Sequence, residues 1–137
     1  MTIKLKFHYI LSLFFVFIVP LFFEGHFIYQ QIDTYNLIAF IVGITIIGSL
    51  WDIWATKHGV KDSIWIWQFN KKDIIGITFF DLPIEEYLFY IATSTYIIFT
   101  WKLMESGNVF IPTVATLWSL FFIGLPYINR FKKQYKN

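Results

Sequence analysis

Cysteine is absent from the 137 residues, which excludes a disulfide scaffold, a thiolate metal site and a cysteine nucleophile. It leaves the redox compartment open. Charge is scarce as well: 15% of residues are Asp, Glu, Lys or Arg, against about 25% in a soluble domain. So small a share points to lipid as the solvent of the chain. The formal net charge of +2 is too small to suggest nucleic acid, and the basic residues lie beside apolar runs instead of among aromatics in a patch. No Gly-rich phosphate loop, no His cluster of metal-binding spacing and no D-x-x-x-D pair for a metal-bound diphosphate occurs. Redox and diphosphate chemistry therefore lack visible residues, and no cofactor or metal is expected. Low-complexity segments and linkers are missing too, so 1–137 reads as a single membrane domain.

What fills the chain is apolar: 57% of residues are hydrophobic and 23% aromatic. Four stretches stand out, 7–23, 37–55, 84–101 and 109–127. Each approaches the roughly 20 residues that carry a helix across about 30 Å of hydrocarbon. The first and last are marginal, because Pro20 and Pro112 interrupt them near their ends. The first, preceded by Lys4 and Lys6, also has the outline of a signal peptide. Bulky Phe22, Phe23 and Glu24 stand where a small-residue cleavage site belongs, which favours a retained helix. The expected fold is an all-α membrane bundle of about four transmembrane helices.

Basic residues set the orientation. Lys4 and Lys6 precede the first run, Lys57, Lys61, Lys71 and Lys72 lie in the central loop, and Arg130, Lys132, Lys133 and Lys136 fill the tail. The segment 24–36 has no Lys or Arg, and the third connection has Lys102 alone. Positive charge is retained on the cytoplasmic side, so both termini and the central loop belong there. Within that loop "SIWIWQFN" (63–70) is too short to span and too apolar to sit free in water. It reads as an interfacial or re-entrant piece between helices 2 and 3, with "DIIGITFFD" (73–81) as its return arm and Gly76 as the bend. A plain aromatic belt at the headgroups is the competing account.

Two acids in succession, Glu85 and Glu86, head the third run in "FFDLPIEEYLFY". Pro83 suits the first turn of a helix, with Asp81 or Leu82 as the cap. Complementing the helix dipole accounts for one glutamate there. Two, about 100° apart around the axis, do not both turn to water when Phe79, Phe80, Leu82, Tyr87 and Leu88 flank them. Asp52, between Trp51 and Trp54 near the end of the second run, poses the same question. The second and third helices run in opposite directions, so Asp52 and the glutamate pair converge at one face. An intramembrane carboxylate is by default a functional candidate. His58, just past the span, reads as an interfacial polar residue.

Burial favours neutral carboxyls and neighbouring carboxyls resist ionising together, whereas a helix N-terminus favours the anion. These opposed pulls separate the titrations and leave a proton donor and an anion in one pocket, the minimum for acid–base work. Trp51, Trp54, Trp65, Trp67, Phe69, Phe80, Phe89 and Tyr90 surround the acids in sequence. Aromatic faces attract cations, so such a wall suits a carbocation formed on an apolar substrate.

"WDIWATKHGV", then "WQFN", then "GITFFDLPIEEYLFY" resembles the lycopene cyclase domain of the heterodimeric bacterial and archaeal type, found also in fused fungal cyclases. Asp52, Trp67, Phe69, Asn70, Gly76, Pro83, Glu85, Glu86 and Phe89 match its pattern in order, over roughly 48–95. The ensemble is specific, although P-x-E-E alone is weak. The resemblance implies a carotenoid end-group cyclase: an acid protonates the acyclic ψ-end, the neighbouring double bond attacks the cation, and a base removes a proton without net redox change. Glu85 and Glu86 would then be acid and cation stabiliser or base, with Asp52 a second acid or an orienting partner. Trp51, Trp67, Phe69, Asn70, Phe89 and Tyr90 would contact the substrate, while Pro83 and Gly76 shape the backbone. Family enzymes use two such domains, so the implied partners are a second copy in a homodimer or a second cyclase half, besides the bilayer and the carotenoid. A non-catalytic membrane subunit or carotenoid-binding assembly partner is the alternative. A proton-relay component ranks last, because the outer halves of the spans, such as "FIVGITIIG" (40–48), offer only scattered Thr and Ser.

Overall fold

The computed structural model describes the backbone over residues 8–62 and 74–134, and side chains over 9–57 and 74–125. "SIWIWQFN", with Trp65, Trp67, Phe69 and Asn70, lies outside the described residues, as does the side chain of His58. The chain is mostly helical. Helix α1 (His8–Leu13) passes through a π-helical turn (Phe14–Ile18) into α2 (Val19–Ile28) and a closing 3₁₀ turn (Tyr29–Gln31). Then come α3 (Thr34–Asp62), the two-residue strands β1 (Thr78–Phe79) and β2 (Leu82–Pro83), α4 (Ile84–Glu105) and α5 (Phe110–Gln134).

Two stretches, Tyr9–Gln31 and Thr34–Lys57, are long and apolar enough to cross a membrane by length and composition. Phe110–Leu125 is a shorter apolar helix. Helix α4 has 22 residues but holds Glu85, Glu86, Lys102 and Glu105 at its ends. Large apolar side chains face outward throughout, Phe22 at 71% and Phe110 at 73% exposure among them. Glu24, Ser49, Asp52, Glu85, Glu86, Ser94, Thr95 and Ser119 are buried instead.

The chain divides into two compact units. The first comprises the N-terminal residues to Leu11 together with 33–95. In it Asp33 caps α3, its Oδ1 accepting the Tyr35 and Asn36 N–H groups at 3.0 and 3.4 Å, as an N-cap aspartate does. Strands β1 and β2 pair antiparallel, Thr78 with Pro83 and Phe79 with Leu82. Phe80 and Asp81 form the turn between them with φ of +51° and +62°. Two successive positive φ values mark the turn type that suits the twist of a hairpin, and there Gly and Asn are the usual occupants. Gly76, with φ of +98°, makes the bend expected of it. Pro83 stands one residue before α4 and not inside its first turn; the hairpin caps the helix instead, the Ile77 carbonyl accepting the Ile84 N–H at 3.0 Å.

The second unit comprises 12–32 and 96 onward. Ile28, Leu103 and Ile111 form its buried core, with Ile32 and Phe99 packed against them. Helix α4 ends on Gly107 at φ +86°. The Asn108 N–H reaches the Leu103 carbonyl (2.9 Å) and the Gly107 N–H the Met104 carbonyl (3.0 Å). This paired closure satisfies two terminal carbonyls and requires the left-handed residue. Asn108 Oδ1 then accepts the Ile111 N–H at 3.2 Å and opens α5.

Neither proline breaks its helix. Pro112 falls in the first turn of α5, where its missing N–H costs nothing. Pro20 follows the π-helical turn, in which the Val19 N–H bonds the Phe14 carbonyl. The next carbonyls, of Phe15 and Val16, lose the donor that residue 20 would have supplied. Side chains of α5 replace it: Trp118 Nε1–H donates to the Phe15 carbonyl and the Ser119 hydroxyl to the Val16 carbonyl, both at 2.8 Å. The Ser119 Oγ also lies 3.1 Å from the Ala115 carbonyl oxygen in its own helix, a second acceptor for the same proton.

Ser119→Ala strands the Val16 carbonyl in a buried setting and should destabilise by about 1 kcal/mol. In a Pro20→Ala background a backbone N–H returns to that carbonyl, and the loss should shrink towards zero. Thermal unfolding of the single and double variants in detergent measures both values.

Candidate functional site

The first unit gathers carboxyls from two helices. Asp52 on α3 is 2% exposed; Glu85 and Glu86, in the first turn of α4, are 0% and 8% exposed. Burying an ionised carboxylate is costly unless donors surround it. The Tyr9 hydroxyl on α1 donates to Glu86 Oε1 at 2.6 Å. The Tyr90 hydroxyl on α4 donates to Asp52 Oδ2 at 2.6 Å. Asp52 and Glu85 both lie close to the Glu86 carboxyl.

Glu85 is held differently. Its Oε1 accepts the Ile75 N–H at 2.6 Å, while Oε2 is buried with no hydrogen-bond partner. The hairpin sets this contact. Gly76 turns the chain after Ile75, Leu82 anchors β2 at 0% exposure, and the Tyr87 hydroxyl ties the Phe79 carbonyl to α4 at 2.9 Å.

On α3, Thr45, Ser49, Asp52 and Thr56 recur at intervals of four, three and four residues. At about 100° per residue they fall within an arc of about 60°. The three hydroxyls are buried without partners, although Ser and Thr within helices commonly bond the carbonyl one turn earlier. Gly48 borders this face. A Cβ at that position would overlap the Tyr90 ring, so glycine lets α3 approach α4 closely enough for Tyr90 to reach Asp52.

The candidate residues thus divide. Asp52, Glu85, Glu86 and Tyr90 share one neighbourhood. Phe89 is half-buried, its ring edge-on to Tyr90 at 5.7 Å. Trp51 is 62% exposed and packs on Trp54 at 5.3 Å, about 100° around α3 from Asp52. Phe80 is exposed at the hairpin turn against Phe79. Trp67, Phe69 and Asn70 lie outside the described residues.

Three features escape a reading by motif. Tyr9 is 77 positions from Glu86 and carries no local signature. The polar face of α3 is present in the spacing of its hydroxyls once Asp52 fixes the phase. Glu24, in the second unit, is fully buried, and the Thr100 hydroxyl lies 2.9 and 3.0 Å from its two oxygens, donating to one at a time. A lone acid directly after an apolar run was its only signal.

Comparison with known proteins finds no matching family model, no matching curated protein and no matching solved structure.

Gly48→Ala should push the Tyr90 ring off Asp52 and cost about 1–3 kcal/mol, the range for overpacking. In a Tyr90→Ala background the same substitution has no ring to meet, and its cost should largely vanish. Unfolding midpoints of the two single variants and the double variant decide this.

Proposed function

We propose that this chain is one half of a membrane-embedded carotenoid end-group cyclase. It initiates ring closure by protonating the acyclic ψ-end of lycopene or a related carotenoid. The observation that carries the reading is the buried, neighbouring trio of Asp52, Glu85 and Glu86 inside a unit whose exterior is apolar. Acid and base thus stand side by side out of reach of water, which would otherwise quench a carbocation. The resemblance of the P-x-E-E segment and its preceding Asp to the lycopene cyclase domain supports the same chemistry.

The reaction needs a proton delivered to a terminal double bond. The resulting tertiary cation is attacked by the next double bond, forming the ring. A base then removes a proton to leave a β-type ring. Anionic oxygen beside the cation stabilises it electrostatically. Atoms balance without oxidation, so the product is an isomer of the substrate.

The outward apolar side chains and inward polar ones suit lipid as solvent. Together with the distribution of Lys and Arg, they support a multi-pass protein of the cell membrane with both termini cytoplasmic. A single domain of this type would work as a homodimer or beside a second half. One observation favours a second reading, a non-catalytic membrane subunit: the Tyr9–Glu86 and Tyr90–Asp52 bonds join α1, α4 and α3, so the acids also hold helices together.

Pigment analysis separates the two. In lycopene-making cells, expressed alone and beside any neighbouring second half, Glu86→Gln should abolish ring formation while membrane accumulation persists. A fall in accumulated protein, with no cyclic pigment from the unaltered chain either, selects the structural role. Ring formation that survives Glu85→Gln, Glu86→Gln and Asp52→Asn alike removes the acid–base assignment.

A further inference from the structure

We infer that Tyr9 is a positioning residue of the reaction centre. Its hydroxyl aims the Glu86 carboxyl, which makes α1 a working part of a site whose acids all lie on α3 and α4. The inference rests on the cyclase reading and adds a residue from outside the motif-bearing stretch 48–95.

Successive residues on a helix point about 100° apart, so Glu85 and Glu86 leave the first turn of α4 in different directions. Glu86 nonetheless has both Asp52 and Glu85 close to its carboxyl. Several rotatable bonds separate a glutamate carboxyl from its backbone, and burial alone does not choose among the directions they allow. A donor does. The Tyr9 hydroxyl lies 2.6 Å from Glu86 Oε1, at the short end of the range for such bonds. No other hydroxyl or N–H among the described residues donates to Glu86. The contact serves either charge state of the acid, because a carboxylate and the carbonyl oxygen of a neutral carboxyl both accept.

A second observation points the same way. Glu85 and Asp52 also lie close to Tyr9, so one ring from α1 sits against the whole trio. Each acid of the trio takes one donor, at 2.6 Å in every case: Tyr9 for Glu86, Tyr90 for Asp52 and the Ile75 N–H for Glu85. These donors come from three separate parts of the first unit: α1, α4 and the stretch ahead of the hairpin. A bond that merely joined two helices would need no acid at its far end. Tyr96 and Ser119 provide that plainer case, their hydroxyl oxygens 3.5 Å apart between α4 and α5 in the second unit.

Aim matters here because the substrate is hydrocarbon. Proton transfer to or from carbon needs the carboxyl oxygen in line with the carbon it serves, and carbon offers no hydrogen bond that would draw the acid into place. The protein must therefore set the direction in advance. Removing the Tyr9 hydroxyl while keeping its ring preserves the packing of α1 and frees the Glu86 carboxyl to turn. Substrate binding is then unaltered and the chemical step slows, which is a fall in kcat with KM held.

The test uses the full chain under the expression arrangement that yields cyclic pigment, purified in detergent and supplied with lycopene, with rates expressed per folded chain. Tyr9→Phe should lower kcat by about tenfold or more and leave KM within about twofold. Tyr96→Phe, which removes a hydroxyl between helices with no acid in the contact, should leave both where they were. Restoring a donor of the same shape, with 4-aminophenylalanine at position 9, should return most of the lost kcat. An unchanged kcat in Tyr9→Phe, a loss no greater than that of Tyr96→Phe, a rise in KM alone, or no recovery with the amine overturns the positioning role and leaves the cyclase reading standing. So does a Tyr9→Phe chain that fails to accumulate folded protein, since that assigns the hydroxyl to holding helices together. No cyclic pigment from the unaltered chain under either expression arrangement overturns the cyclase reading and this role together.

Discussion

A buried carboxyl needs a donor, and among the described residues three of the four buried acids find it in a hydroxyl from another helix. Tyr9 serves Glu86, Tyr90 serves Asp52, and Thr100 serves Glu24. In water such bonds exchange readily for solvent and contribute little. Where solvent is absent the alternative is an unpaired acid, and the bond decides which helices meet and in what register. On the membrane reading the outward Phe, Ile and Trp side chains supply no comparable specificity, because lipid tails are as apolar as they are. The polar interior is therefore the part of the structure that encodes the arrangement of helices.

The same logic covers the backbone. Pro20 removes a donor, and Trp118 and Ser119 return two at the carbonyls it leaves. The hairpin with Phe80 and Asp81 in left-handed conformations is strained for non-glycine residues. That strain accompanies a definite gain: the hairpin delivers the Ile75 N–H to Glu85 and the Ile77 carbonyl to the start of α4. The segment that looks least regular is the one that fixes the first turn of the acidic helix.

Much of this was readable in the chain. The apolar runs anticipate the helices, and the opposed directions of the second and third runs anticipate Asp52 meeting the glutamate pair. Gly76 was readable as a bend, since positive φ is its ordinary use. Helix ends were less legible: α3 continues to Asp62, past Lys57, because a charge ends an apolar run without ending a helix. The partners were not legible at all. Nothing around Tyr9 separates it from the other aromatics of its run, and its role appears only when α1 meets α4. The α5 donors to Phe15 and Val16 were likewise hidden, since the demand for them arises from a proline far away in sequence. Trp51 shows the converse. It is adjacent to Asp52 in sequence, yet one residue turns a helix by about 100°, and the indole faces outward.

The central claim is that the Asp52 and Glu86 carboxyls lie together and act on each other within a solvent-excluded interior. A double-mutant cycle of Asp52→Asn and Glu86→Gln, read as unfolding free energy of the full chain in detergent, tests it most directly. Coupled groups in contact give interaction energies of about 0.5–3 kcal/mol, and a value in that range is the expected result. Strict additivity of the two substitutions would mean that the carboxyls do not act on each other, contradicting the account at its root.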